Sequence, residues 1–130
     1  MLNKRVKTTN MELTDAISDY VHKKVDVLEK FIESDVQALA EIEIGKTTHH
    51  HHKGDVFKAE ISLTMGKDNF QTSVVESDLY TAIDKMKESI VQEVTRSKRK
   101  KQHLFRRGRQ KIKNILRGFT KGKKEPVETE

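Results

Sequence analysis

Residues 57–76 read FKAEISLTMGKDNFQTSVVE, and the fold turns on the period of that stretch. Phe57, Ala59, Ile61, Leu63 and Met65 alternate with Lys58, Glu60, Ser62 and Thr64, the two-residue repeat of a strand with one apolar and one wet face. A short loop, Gly66 to Asn69, leads into Phe70 to Glu76, so the two segments predict a hairpin. Upstream, Val36, Ala38, Ala40, Ile42 and Ile44 alternate with Gln37, Leu39, Glu41 and Glu43 and predict another half-buried strand. Before it the period lengthens: Ile17, Val21, Val25, Leu28 and Ile32 fall on one face of a helix over about residues 14 to 33, with Thr14 as N-cap and Asp15 in the first turn. Residues 2–9 read as a strand that ends in a turn at Asn10. Beyond the hairpin, Ser77 and Asp78 open a second helix, and Leu79, Tyr80, Ile83, Met86, Ile90 and Val94 carry it at least to Thr95.

The order is therefore β-α-β-β-β-α. A helix joining the first two strands implies a parallel pair, while the later strands pair as antiparallel neighbours. The expected fold class is α+β, in two layers: a four-stranded sheet with both helices on one face. At 130 residues the chain holds one such domain, which removes about two thirds of its unfolded surface from water. With 34% hydrophobic and 35% charged residues, no apolar run approaches the roughly 20 residues that span a bilayer. The chain has no cysteine, which excludes disulfides, thiolate metal sites and a cysteine nucleophile. Residues 1–10 lack the order of a secretory signal, so a soluble, cytoplasmic protein is expected.

Charge is divided sharply along the chain. Residues 1–95 carry 12 Lys and Arg against 17 Asp and Glu, whereas Arg96 to Lys124 carries 14 Lys and Arg and no acid. Such a block repels itself until a polyanion neutralises it, and RNA, DNA or an anionic membrane could do so. Leu104, Phe105, Ile112, Ile115, Leu116 and Phe119 recur among the cations at near-helical spacing, compatible with a basic amphipathic helix that could contact a headgroup layer or a protein. Gly108, Gly118 and Gly122 each cost a helix about 1 kcal/mol relative to Ala. The expected organisation is a domain over residues 1–98 and a basic, largely flexible tail over 99–130 that orders on a partner.

Nothing in the chain reads as catalytic. Ser77 is expected to cap a helix, Asp78 to place charge in its first turn, and Tyr80 to pack its ring under the sheet; no glycine-rich phosphate cradle or histidine-based triad accompanies them. The run His49 to His52 lacks companion ligands at metal spacing and reads as a solvated loop. No enzyme, cofactor or metal site is expected.

The stretch His50 to Ile61, the segment Ser77-Asp78-Leu79-Tyr80-Thr81-Ala82-Ile83-Asp84, the helix start Glu12 to Ile17 and Leu28-Glu29-Lys30-Phe31 together resemble the ribosome hibernation-promoting factor family, which includes the ribosome-associated inhibitor YfiA. The likeness covers about residues 1 to 100. It implies a fold similar to double-stranded RNA-binding domains, and a translation inhibitor bound to the small ribosomal subunit in the messenger and transfer-RNA channel. On that likeness Lys24 and Lys30 match basic positions of the first helix, and Arg96 and Lys98 those at the end of the second. Ser89 and Gln92 stand where relatives carry cations, with Lys85 and Lys87 a turn earlier. With Arg99, Lys100, Lys101, Arg106, Arg107 and Arg109 of the basic run, these residues form the expected RNA-binding set. The amount of chain after the second helix looks like that of a short form without a dimerisation domain. The expected partners are the small subunit and its ribosomal RNA, with no small-molecule substrate, membrane or obligate oligomer. A general RNA-binding or RNA-chaperone module, or a protein-binding modulator of transcription, are the alternatives.

Overall fold

The computed structural model describes residues 1–47, Gly54 and residues 56–119, the last three by backbone alone. The order is β1 (Leu2–Thr9), α1 (Asp15–Val25), a 3-10 turn (Asp26–Phe31), β2 (Ala38–Thr47), β3 (Val56–Met65), β4 (Asp68–Glu76) and α2 (Leu79–Phe119). The strands form one sheet in the order β1-β2-β3-β4, with β1 parallel to β2 and the remaining pairs antiparallel. This is the expected α+β architecture, and the chain divides into two compact units, Met1–Val94 and Thr95–Glu130.

Register defines the faces of the sheet. One row crosses it as Val6, Ile42, Ile61 and Thr72, the next as Lys4, Ala40, Leu63 and Phe70. Lys4 pairs with Asp26 of the 3-10 turn, and the Thr72 hydroxyl shares a 2.7 Å hydrogen bond with Ser89 of α2. Both helical elements therefore cover the same face. Ile42, Ile44, Ile61 and Leu63 meet Val21, Val25 and Leu28 from one side and Ile83, Met86, Ile90 and Val94 from the other, all with 2% or less of their surface exposed. Among the described residues no polar or charged side chain is buried, so this core is held by apolar packing alone.

Local chemistry sets the boundaries. Thr14 caps α1 by accepting from the Ile17 N–H at 3.2 Å, as its position before the apolar stripe predicts. The expected helix over 14–33 is α-helical only to Val25. Val25, Leu28 and Phe31 then stand three apart, which keeps one face inward on a 3-10 turn with three residues per turn. The β3–β4 connection is tighter than the expected Gly66–Asn69 loop: Met65 pairs with Asp68, leaving Gly66 and Lys67 as a two-residue turn whose first position has φ +58°. Glycine meets that requirement without a Cβ clash.

At the start of α2 the cap is Asp78, not Ser77. The Asp78 carboxylate accepts from the Thr81 N–H at 2.9 Å and from its hydroxyl at 2.8 Å, and these bonds hold it below the usual carboxylate range. Tyr80 is 39% exposed and packs edge-on against Tyr20 of α1, rather than under the sheet. The largest departure from expectation lies downstream. Residues 99–119, expected to be largely flexible, continue α2 as helix. The glycine penalties hold for an isolated peptide, where nucleation dominates; here the turns packed in the core provide the nucleus, and each added Lys, Arg, Gln or Leu needs only propagation.

Candidate nucleic-acid interface

The exposed residues of β1 and β2 on the uncovered sheet face bring opposite charges together. Arg5 lies 3.9 Å from Glu41 and Lys7 3.9 Å from Glu43, with Glu60 and Ser62 of β3 completing a shallow groove of about 400 Å³. The Thr9 hydroxyl donates to Glu43 at 2.6 Å, and this bond together with Lys7 lowers the Glu43 pKa. A surface that already pairs its charges offers a polyanion little.

On the helical side of the body, too, cations stand among acids, and the excess of positive charge begins only at Arg96. Lys24, in the last turn of α1, lies 3.3 Å from Asp84 of α2 and 5.3 Å from the centre of the Tyr20 ring. The Tyr20 hydroxyl donates to the same Asp84 oxygen at 2.6 Å, and Tyr80 stacks on Tyr20 at 4.7 Å between ring centres. Asp84 raises the pKa of both partners, through its hydrogen bond first and its charge next, so Lys24 stays an ammonium and Tyr20 a neutral phenol. Lys30 is exposed on the 3-10 turn with its ammonium 5.4 Å from the Phe31 ring.

The expected site residues on α2 separate by flank. Asp84 turns one flank toward α1, and Lys87, three residues on, shares it. Lys85 lies on the other flank, where it pairs with Glu76 of β4 at 3.2 Å, and Ser89 one turn later bonds Thr72. Lys24 and Lys87 thus belong to one inter-helical surface, and Lys85 does not. The expected binding set does not include the exposed Lys23 of α1 or Asp84, the acidic centre of the cluster. A local signal existed: Tyr20 and Lys24, like Tyr80 and Asp84, stand four apart and so lie together on a helix face.

In the second unit, Arg96, Arg99, Lys100, Lys101, Arg106, Arg107 and Arg109 are exposed on α2 and Lys98 is half-buried. The Arg109 guanidinium sits 5.8 Å from the Phe105 ring. The helix spaces these cations along its axis at a rise of about 1.5 Å per residue, an array that can face successive phosphates rather than one small ligand. Among the described residues no cluster of His, Cys, Asp and Glu could hold a metal ion. The run His49 to His52 lies outside the described residues.

A mixed four-stranded sheet under two helices, the second of them continuing as a basic helix, defines a small α+β domain. The family model described as "Sigma 54 modulation protein / S30EA ribosomal protein" matches residues 5–102, and the chain belongs to that family. A curated relative, the ribosome hibernation promotion factor of Bacillus subtilis (strain 168), is 24% identical over 105 residues, which make up 81% of this chain and 53% of the relative. The chain thus spans about half the length of that protein. Among solved structures, the N-terminal domain of Thermus thermophilus Protein Y is similar at a TM-score of 0.60 and 27% identity, covering 73% of this chain and 96% of the domain. A ribosomal subunit interface protein from Coxiella burnetii shares the fold at a TM-score of 0.54 and 12% identity, covering 75% of this chain and 98% of its own.

Proposed function

We propose that this protein is a ribosome hibernation factor that binds the small ribosomal subunit in the messenger and transfer-RNA channel and blocks translation. The observation that carries the reading is the family match over residues 5–102, joined without a break to a helix that presents the densest positive charge of the chain. The resemblance to the hibernation promotion factor supplies the ribosome as partner, and the cytoplasm as the place of action follows from it. The body provides shape and register against folded RNA. Lys24, Lys30 and Lys87 on the helical side, with Lys98, Arg99, Lys100, Arg106, Arg107 and Arg109 beyond them, contact phosphates, a mode that fixes position without reading bases. Lys85, Arg96 and Lys101 belong to the same proposed set. Inhibition is steric: an occupied channel excludes messenger and transfer RNA, with no bond made or broken.

Cosedimentation with purified small subunits tests this. Binding weakens steeply with salt, and replacing Arg106, Arg107 and Arg109 with Gln lowers the slope of log affinity against log salt by about 0.7–0.9 for each phosphate that is no longer neutralised. Equal competition by bulk RNA and by small subunits at the same mass would instead identify a general RNA-binding module. An RNA-independent complex with a transcription protein, and none with subunits, would identify the third reading.

A further inference from the structure

We propose that the helical extension is also an anionic-lipid-binding element: an amphipathic helix that lies in the headgroup layer of a negatively charged bilayer. Phosphate binding uses the cations of this segment and leaves its apolar residues unexplained. Leu104, Phe105, Ile112, Ile115 and Leu116 are between 53% and 66% exposed. At 3.6 residues per turn they fall within one arc of roughly 120°, a stripe wider than a coiled-coil seam.

The arrangement of charge around that stripe selects its occupant. Lys98 and Arg109 border one edge, Lys100 and Lys111 the other, Arg99 and Arg106 lie opposite, and Lys101 stands on the midline only at the N-terminal end, one turn before Leu104. From Arg96 to Lys124 there is no acid. A second copy of the helix could cover the stripe, but it would set cationic edges against cationic edges with nothing between them. An RNA groove neutralises the edges and gives the stripe no apolar counterpart. An anionic bilayer answers both: acyl chains take the apolar arc, and headgroup phosphates take the bordering Lys and Arg, whose aliphatic stems reach outward from a helix lying in the surface. No described helix is long and apolar enough to cross a membrane, so the contact is interfacial. Read as a flexible tail, the segment presents no fixed stripe; the helix creates one. The same cations serve phosphates of RNA and of lipid, so the two partners compete for the extension.

The test uses the full chain, freed of co-purifying RNA, and vesicles of phosphatidylcholine with or without phosphatidylglycerol. The chain sediments with the phosphatidylglycerol vesicles and not with the neutral ones. Ile112→Gln with Ile115→Gln leaves every charge in place and lowers that partitioning by about tenfold per residue. The protein has no tryptophan, so Phe105→Trp provides a single probe whose emission shifts to the blue on the anionic vesicles. The double variant keeps its affinity for ribosomal RNA and for small subunits. The proposal is overturned if the double variant binds anionic vesicles as the parent does, or if the emission of the Phe105→Trp variant stays at its position in water. It is equally overturned if the double variant loses RNA binding in the same proportion. A vesicle-free dimer in sedimentation velocity that the double variant abolishes would assign the stripe to self-association instead. None of these outcomes depends on whether the body binds ribosomes.

Discussion

Residues 1–94 and the helical residues from Thr95 onward obey different physics. The body buries its apolar side chains to 2% exposure or less at the centre of its core, sets acids beside bases, and carries more acids than bases. The extension leaves its apolar side chains in water and has cations with no acids among them. The first satisfies its own charges and apolar surface; the second exposes both, which on the proposed function is where a partner supplies the complement. Affinity should therefore reside in the extension and stability in the body, and substitutions in each should affect only the corresponding quantity.

The largest effect is expected on binding. Replacing Arg99, Lys100, Arg106, Arg107 and Arg109 together with Gln should reduce affinity for small subunits on the order of a thousandfold at low salt, by removing the counterion release that phosphate contacts provide. The thermal midpoint of the body should stay where it is. A fall in that midpoint comparable with a core mutation would show that the extension also stabilises the fold. Next in size is the contrast between two isoleucines. Ile61→Ala opens a cavity in the centre of the sheet and should cost about 3 kcal/mol in denaturant unfolding. Ile112→Ala, at a site 59% exposed, should change the same measurement by less than about 0.5 kcal/mol.

Helix termini and interiors give a smaller contrast. Thr14→Ala removes the acceptor for the Ile17 N–H and should lower body stability by about 1 kcal/mol. Gly108→Ala adds a Cβ that meets no atom within 4 Å, so it should favour the extension helix by about 1 kcal/mol, read as a rise in helical circular dichroism with the body's unfolding unchanged.

These contrasts also explain which features could be read from the chain. The alternation from Phe57 to Met65 and the spacing of Ile17, Val21, Val25 and Leu28 report burial against a large shared core, and burial leaves a strong periodic trace. Thr14 was readable because capping is local. The Asp84 cluster joins residues 64 positions apart, and neither α1 nor the start of α2 carries enough signal alone to show that they meet. Tyr80 misled because it adjoins the buried Leu79 in sequence, yet on a helix consecutive residues stand about 100° apart, which turns its ring to the flank facing Tyr20. The helicity of residues 99–119 could not be judged from their own composition, since the nucleus that permits it lies in the packed turns before Val94.

The smallest contrast is in pH dependence, and its sign differs at the two ends of the scale. Asp78 is held below its ordinary pKa mainly by the Thr81 N–H, and Glu43 by the Thr9 hydroxyl and then Lys7. A carboxylate whose folded pKa is depressed contributes stability that is present above its unfolded pKa and disappears as pH falls through the folded one. Tyr20 and Lys24 have raised folded values because of Asp84, so what they contribute is present below their unfolded pKa values and disappears as pH climbs through the folded ones. The body should therefore melt at a constant temperature around neutrality, lower in acid and lower again in strong alkali. Asp78→Asn retains an oxygen that can cap α2 but removes the proton equilibrium, so it should flatten the acid limb while leaving the neutral midpoint nearly unchanged. Tyr20→Phe should flatten the alkaline limb. The extension has no carboxylate from Arg96 to Lys124, so loss of carboxylate charge reaches its helix only through the packed turns before Val94 that nucleate it, and its helical signal should fall in step with the body's stability. An extension helix that keeps its signal after acid has unfolded the body, in parent and Asp78→Asn alike, would show that its helicity does not depend on the packed part of α2.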